Sequence, residues 1–317
     1  MVWVTTRRSR RAPDVPEPTS ILDAIRRGTL DAELAGLLWT LLDAGMPLIV
    51  AGPGDTPQDL SQRRTILDLV LDLAPADRVR RTLSPVEDFP WLAGVESLGW
   101  RRTAPVPSTR SRPLGRPVGR PVGRPAPDAP ARDLLLAGEL GAAPPADTIG
   151  ERVRLVIRAL GLGFGLGATV RGSRLEDVLE LLRAQPIGVT DDELSRLGVV
   201  LVLAAGDGAE PTKVAAAHYL RPLARDVHGH SQRLPPAVLA TWEPGRGRFE
   251  HFAWGVAAEL ADRLGRRTGD FELDRARRAE ALTGLAAVHL PDRAAERVVL
   301  ERFRRDSVGA GWDGRPS

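Results

Sequence analysis

The chain has 317 residues, 43% of them hydrophobic, enough for one domain of roughly 200 to 250 residues with appendages. The absence of cysteine excludes disulfides, thiolate metal sites, iron–sulfur clusters and thiol nucleophiles. Its 44 basic and 41 acidic residues nearly cancel; the pI of 10.2 reflects the scarcity of groups titrating between carboxylates and arginine, since every basic residue but Lys213 is an arginine, and it is no signature of nucleic-acid binding.

Residues 1–18 are basic and proline-rich and read as a flexible arm. They lack the apolar core of a signal peptide, and no run reaches the roughly 18 apolar residues of a spanning helix, so a cytoplasmic protein without a membrane span is expected. Ser20 with Asp23 resembles a capping box, and Leu30, Leu34, Leu37, Leu38, Leu41 and Leu42 recur at helical spacing behind a cap at Asp31, up to the stop at Gly45. Pro47 to Ala51 is a continuous apolar run, the pattern of a buried parallel strand. A loop is expected from Gly52 to Gln62, opening into the amphipathic run Thr65 to Leu73; strand, glycine-containing loop and helix form half of a nucleotide-binding βαβ unit.

A strand is expected near Val79 to Leu83. Residues 104–132 carry a near-perfect Gly-Arg-Pro-Val repeat, read as an extended, solvated insert. Further on, the pattern predicts a strand at Leu134–Leu140, a helix at Thr148–Leu160, a strand at Leu166–Arg171, a helix at Ser173–Leu182 capped by Ser173 and Glu176, a turn or short helix at Asp191–Leu197, and a buried strand at Val199–Leu203. Residues 217–254 read as two or three antiparallel strands with turns at Asp226–Gly229 and Glu243–Gly247, followed by three short helices to about Arg305 and a frayed tail, Gly309–Ser317. Alternating strands and helices imply a mainly parallel sheet covered on both faces.

Several motifs carry less than they suggest. His228-Gly-His230, with His218 or His251, reads as a solvated turn in place of a metal site. Gly161 to Gly167 follows a helix and precedes a strand, the wrong order for a dinucleotide fingerprint. Trp242, Trp254 and Phe252 read as hairpin core, and no G-x-S-x-G elbow is present.

Taken in order, Thr29 to Trp39, Pro47 to Pro53 and Thr65 to Asp68, then Val86 to Trp91, Leu136 to Gly141, Gly165 to Arg171 and Gln232 to Phe249 resemble successive motifs of the secretion and pilus-assembly ATPases: the approach to the phosphate loop, the acidic box, the Walker B strand, the histidine box and the β-hairpin after the core. The resemblance spans roughly residues 20–265. It implies a three-layer α/β RecA-like P-loop core over 19–265, a β-hairpin, and a helical C-terminal extension over 266–317; the separate N-terminal domain frequent in the family is expected to be missing. It further implies ATP and Mg²⁺ as ligands, secretion or pilus-assembly subunits as partners, and a homo- or hetero-oligomeric ring. Nucleic acid is not an expected partner.

The same resemblance places Gly52, Gly54, Arg63, Arg64 and Thr65 at the nucleotide, Glu139 at the water- or metal-orienting position, and Glu87, with Asp88, as an assisting carboxylate. Yet G-x-x-x-x-G-K-[ST] is absent, and the family's Gly-Lys-Thr-Thr falls on Gln62-Arg63-Arg64-Thr65. Gln62 replaces a glycine, the planar guanidinium of Arg63 is no equivalent of an ammonium point charge, Arg64 replaces a hydroxyl, and Arg171 stands where the histidine box has His. The expectation is a degenerate protein that acts by binding, with lost or reduced hydrolysis; the alternatives are a working ATPase using Arg63, Thr65 and Glu139, and an adaptor that grips an acidic partner through its arginine-rich segments.

Overall fold

A computed structural model describes residues 16–92, 94–100, 133–204, 212–225, 231–288 and 290–309. Most of the basic arm, the Gly-Arg-Pro-Val insert, the Asp226–Gly229 turn, His228, His230 and the tail beyond Gly309 lie outside the described residues.

The elements run α1 (Ile21–Arg26), α2 (Ala32–Asp43), β1 (Leu48–Gly52), α3 (Pro57–Leu71), β2 (Arg80–Thr82), β3 (Leu134–Gly141), β4 (Thr148–Ile149), α4 (Glu151–Leu160), β5 (Gly165–Arg171), α5 (Leu175–Arg183), α6 (Asp191–Leu194), β6 (Val199–Leu203), β7 (Val214–Tyr219), β8 (Ala224–Arg225), β9 (Ser231–Gln232), β10 (Ala237–Glu243), β11 (Arg248–His251), α7 (Ala257–Arg263), α8 (Thr268–Ala286) and α9 (Arg293–Gly309), with 3₁₀ turns at Val95–Leu98 and Ala253–Val256. Nine strands form one mostly parallel sheet in the order β11–β10–β7–β6–β1–β5–β3–β2, with β4 beside β3; β7, β10 and β11 are the antiparallel members, and β8 and β9 make a separate ribbon.

The apolar run of β1 is what a doubly covered strand needs. Leu48 and Val50 face one core, shared with α1, α2, α3, α8 and α9, while Ile49 and Ala51 face another, shared with α4, α5 and α6. The period-2 alternation of side chains therefore separates two apolar clusters across one sheet, giving three layers. The C-terminal helices belong to the first core: Phe271, Leu282 and Leu300 are buried in it, and Gly36 of α2 touches Ala279 of α8. Ion pairs fasten them, Arg278 and Arg304 to Asp43, and Arg293 to Asp72.

Several expected elements differ, among them α8 and α9, which are 19 and 17 residues long where short helices are expected. α3 begins at Pro57, well before the end of the expected Gly52–Gln62 loop, because Thr56 and Asp59 form a reciprocal capping box and Pro57 occupies the first helical turn. α5 is capped at Arg174, with Asp177 accepting from the amides of Ser173 and Arg174, so the Ser173–Glu176 box does not form. Thr148 and Ile149 pair with β3 before α4 starts. In the hairpin, Trp242 stacks edge-on with Phe249, but Trp254 and Phe252 are exposed, Trp254 to 75%, so neither of the last two is core.

Candidate functional site

The carboxyl ends of β1, β5 and β3 lie side by side, at the end of the sheet where ligands sit in parallel α/β folds. β5 lies between β1 and β3, so the β1 exit loop and the β3 carboxylate are two strand spacings, about 9 to 10 Å, apart. In this protein the guanidinium of Arg63 fills that space.

Arg63 is 1% exposed and makes five hydrogen bonds. Nη2 donates to Glu139 Oε1 at 2.8 Å and Nε to Glu139 Oε2 at 3.2 Å, while Nη1 donates to the carbonyls of Gly52, Pro53 and Gly54 at 3.2, 3.0 and 3.0 Å. Thr169, next to Glu139 in the β3–β5 register, donates its hydroxyl to Glu139 Oε2 at 2.6 Å. The fork geometry of arginine allows one side chain to serve a carboxylate and a fan of carbonyls together. The early start of α3 sets this up by placing Arg63 in the second helical turn, over the strand exit. Gly52 lets the arginine stem approach closely: a Cβ there would lie 3.2 Å from Arg63 Cγ, tight enough that the stem would have to give by a few tenths of an ångström.

The remaining site residues are also engaged. Arg64 pairs with Asp147 at 2.6 Å, and the same Asp147 oxygen accepts the Glu139 amide at 2.8 Å, so Arg64 reaches the site through an intermediary. Gly138, at φ +64°, permits this, since a Cβ would stand 2.4 Å from Asp147 Oδ2. Gly54, at φ +76°, gives way to the Asp59 carboxylate, which accepts the amide and hydroxyl of Thr56. Asp55 pairs with Arg171 at 2.5 Å across the exposed rim.

Thr65 is turned elsewhere and donates to Glu17 at 2.5 Å; residues two apart on a helix do not share a face. Glu87 accepts the amides of Ser84 and Phe89 in its own turn, and Asp88 accepts Trp100 Nε1. Among the described residues no hydrogen bond or ion pair joins either carboxylate to Arg63 or Glu139. The structure thus brings together Gly52, Gly54, Arg63 and Glu139, attaches Arg64, and leaves Thr65 and Glu87 apart. Sequence reasoning missed Thr169, Asp147 and Asp59; only Asp59 had a local signal, Thr56-Pro57-Gln58-Asp59.

A triphosphate and its Mg²⁺ need converging amides, a mobile cation and a hydroxyl. Here three successive carbonyls point inward, the first-turn amides of Thr56 and Asp59 are taken by their own capping box, and the cation is spent on Glu139. The residues present do not fit the group.

No protein-family model and no curated protein matches the chain. No group of three or more potential metal-binding side chains occurs among the described residues, and no described helix is long and apolar enough to cross a membrane.

Proposed function

We propose that this chain is a degenerate RecA-like core of the secretion and pilus-assembly ATPase type that acts by binding other subunits of such a machine, in the cytoplasm, without binding or hydrolysing ATP. The colinear motifs support the family. So does the strand order, which leaves one strand, β5, between the β1 loop and the β3 carboxylate and so leaves room in such a core for phosphate and a water between them.

The observation that carries the loss of chemistry is the convergence of the Gly52, Pro53 and Gly54 carbonyls and the Glu139 carboxylate on Arg63. A phosphate entering there meets oxygen lone pairs in place of amide hydrogens, and the buried arginine must first leave its partner exposed to a like charge. The fold is retained as a surface, with the internal ion pair holding the loop where a nucleotide holds it in an active member of the family. The working-ATPase alternative asks Arg63, Thr65 and Glu139 to act together, and each has another bond. The adaptor alternative rests on arginine-rich segments outside the described residues.

The test is calorimetric titration of the purified chain with ATP and Mg²⁺, with phosphate release followed in parallel and a Glu139→Ala variant alongside. The expected result is no binding heat at millimolar ATP and no phosphate release. Binding with turnover that depends on Glu139 overturns the proposal.

A further inference from the structure

On the opposite face of the sheet from α3, a cavity of about 160 Å³ lies between α4, the 3₁₀ turn ending at Leu98, and the loop Gln185–Ile187. Glu151, Arg154, Leu155 and Arg158 recur along one stripe of α4 and line it, with the exposed Glu151 at the rim and Trp100 and Gln185 on the walls. Arg154 and Arg158 are like charges four residues apart, an arrangement that isolated helices disfavour. They are held together by Glu193, which is 5% exposed and accepts the Nε of both, at 2.9 and 2.5 Å.

Burial raises the Glu193 carboxyl, but the Thr190 amide and the two guanidiniums outweigh it and bring it below its usual range, so Glu193 stays ionised. Because Glu193 takes both arginines by their Nε edges, the outer nitrogens remain. Arg158 Nη1 donates to the carbonyl of Leu98, whereas Arg158 Nη2 and both Nη atoms of Arg154 have no protein acceptor among the described residues. Arg152, stacked 5.3 Å from the Trp100 ring centroid, adds a further positive charge to that wall. A pair of guanidiniums fixed by a buried carboxylate, with unused donors on side chains that line a partly open pocket, is a preorganised oxyanion receptor.

We propose that this cavity binds a compact phosphate, either as the free ion or as the monoester head of a small metabolite. The volume has room for a phosphate with waters around it. Glu151 at the rim opposes the anion, so its removal strengthens binding. The site shares no residue with the Arg63–Glu139 cluster and stands whether or not that cluster binds ATP.

The experiment titrates the full chain with inorganic phosphate and with ribose 5-phosphate at constant ionic strength in chloride, reading calorimetric heat and the rise in melting temperature, with acetate as control. Saturable binding is expected, weakened about tenfold in Arg154→Gln by loss of its charge-assisted donors and tightened in Glu151→Gln, with the circular dichroism of both variants unchanged. Binding of the free ion alone identifies the ion as the ligand; equal binding of the ester identifies a carried phosphate. No saturation at tens of millimolar phosphate, acetate binding as well as phosphate, or indifference to both substitutions overturns the proposal.

Discussion

Arg63 and Glu139 lie 76 positions apart and share two hydrogen bonds, Nη2 to Oε1 at 2.8 Å and Nε to Oε2 at 3.2 Å, with both side chains out of solvent. A buried ion pair repays its desolvation only when the geometry is good and the remaining donors are satisfied. Both conditions hold here, since Nη1 has three carbonyls and Oε2 has the Thr169 hydroxyl.

Arg63→Met is therefore expected to cost about 3 to 5 kcal/mol, because it leaves the Glu139 charge and the carbonyls unpaired in the interior. The double variant Arg63→Met with Glu139→Leu removes both charges and recovers a large part of the loss, though the carbonyls stay unsatisfied. Arg63→Lys is not a rescue, since one ammonium cannot fork between a carboxylate and a carbonyl fan. Denaturant melts check the order: wild type most stable, the double variant next, Arg63→Met least, with Arg63→Lys below wild type.

The fold was legible wherever composition alone dictates burial. Val199 to Leu203 and Pro47 to Ala51 are too apolar to face water on either side, and the structure buries β6 and β1 on both faces. The candidate site was legible as a list and not as an arrangement. Glu139 and Gly52 were singled out, but nothing local in the sequence pairs an arginine in α3 with a carboxylate in β3. The start of α3 is written in Thr56-Pro57-Gln58-Asp59, but Gly, Pro, Asp, Thr, Ser and Gln are equally the residues of a loop, and composition does not separate a helix cap from the loop before it. Trp254 reads as hairpin core in the sequence but sits beyond β11 in a 3₁₀ turn, and the hairpin pattern says nothing of which side of that turn faces solvent.

The capping box at Thr56 positions Arg63, so weakening it acts on the site from a distance. Thr56→Ala removes the acceptor for the Asp59 amide and one donor to the Asp59 carboxylate, and is expected to destabilise by about 1 kcal/mol. Hydrogen exchange separates this from a global effect. Amides in the first turns of α3 should lose protection while those of β6 keep theirs.

His251 supplies a pH dependence with a defined sign. Its Nε2 lies 2.8 Å from Asp31 Oδ2 and 3.7 Å from Glu33 Oε2, with Arg275 paired to Glu33 on the far side. Partial burial lowers its pKa, but the Asp31 hydrogen bond and the two carboxylates outweigh burial and the Arg275 charge, and the net direction is upward from 6.5. A raised folded pKa means that the folded state binds the proton more tightly, so the contribution is complete below about pH 6.5 and is lost as pH rises through the folded value. Melts of wild type and His251→Gln across neutral pH should show a stability gap that closes as the pH rises; a gap that widens instead contradicts the assignment.

The seam between α2 and α8 makes the last prediction, because it decides whether the C-terminal helices are part of the folding unit. A Cβ added at Gly36 would lie 2.7 Å from the backbone nitrogen of Ala279 and 3.0 Å from its Cα. Gly36→Ala gains helix propensity, worth about 1 kcal/mol at most, but it must push the helix axes apart and strain the core around Phe271, Leu282 and Trp39. Overpacking of this kind costs about 1 to 3 kcal/mol, so the balance is destabilising. Ala279→Gly is not a rescue, because the nearest obstacle is backbone that no side-chain deletion removes. If α8 is integral to the unit, the variant lowers one cooperative transition for the whole chain, read by protection in β1 and α8 together; a loss confined to α8, with β1 unaffected, would mean that the C-terminal helices fold as a separate layer.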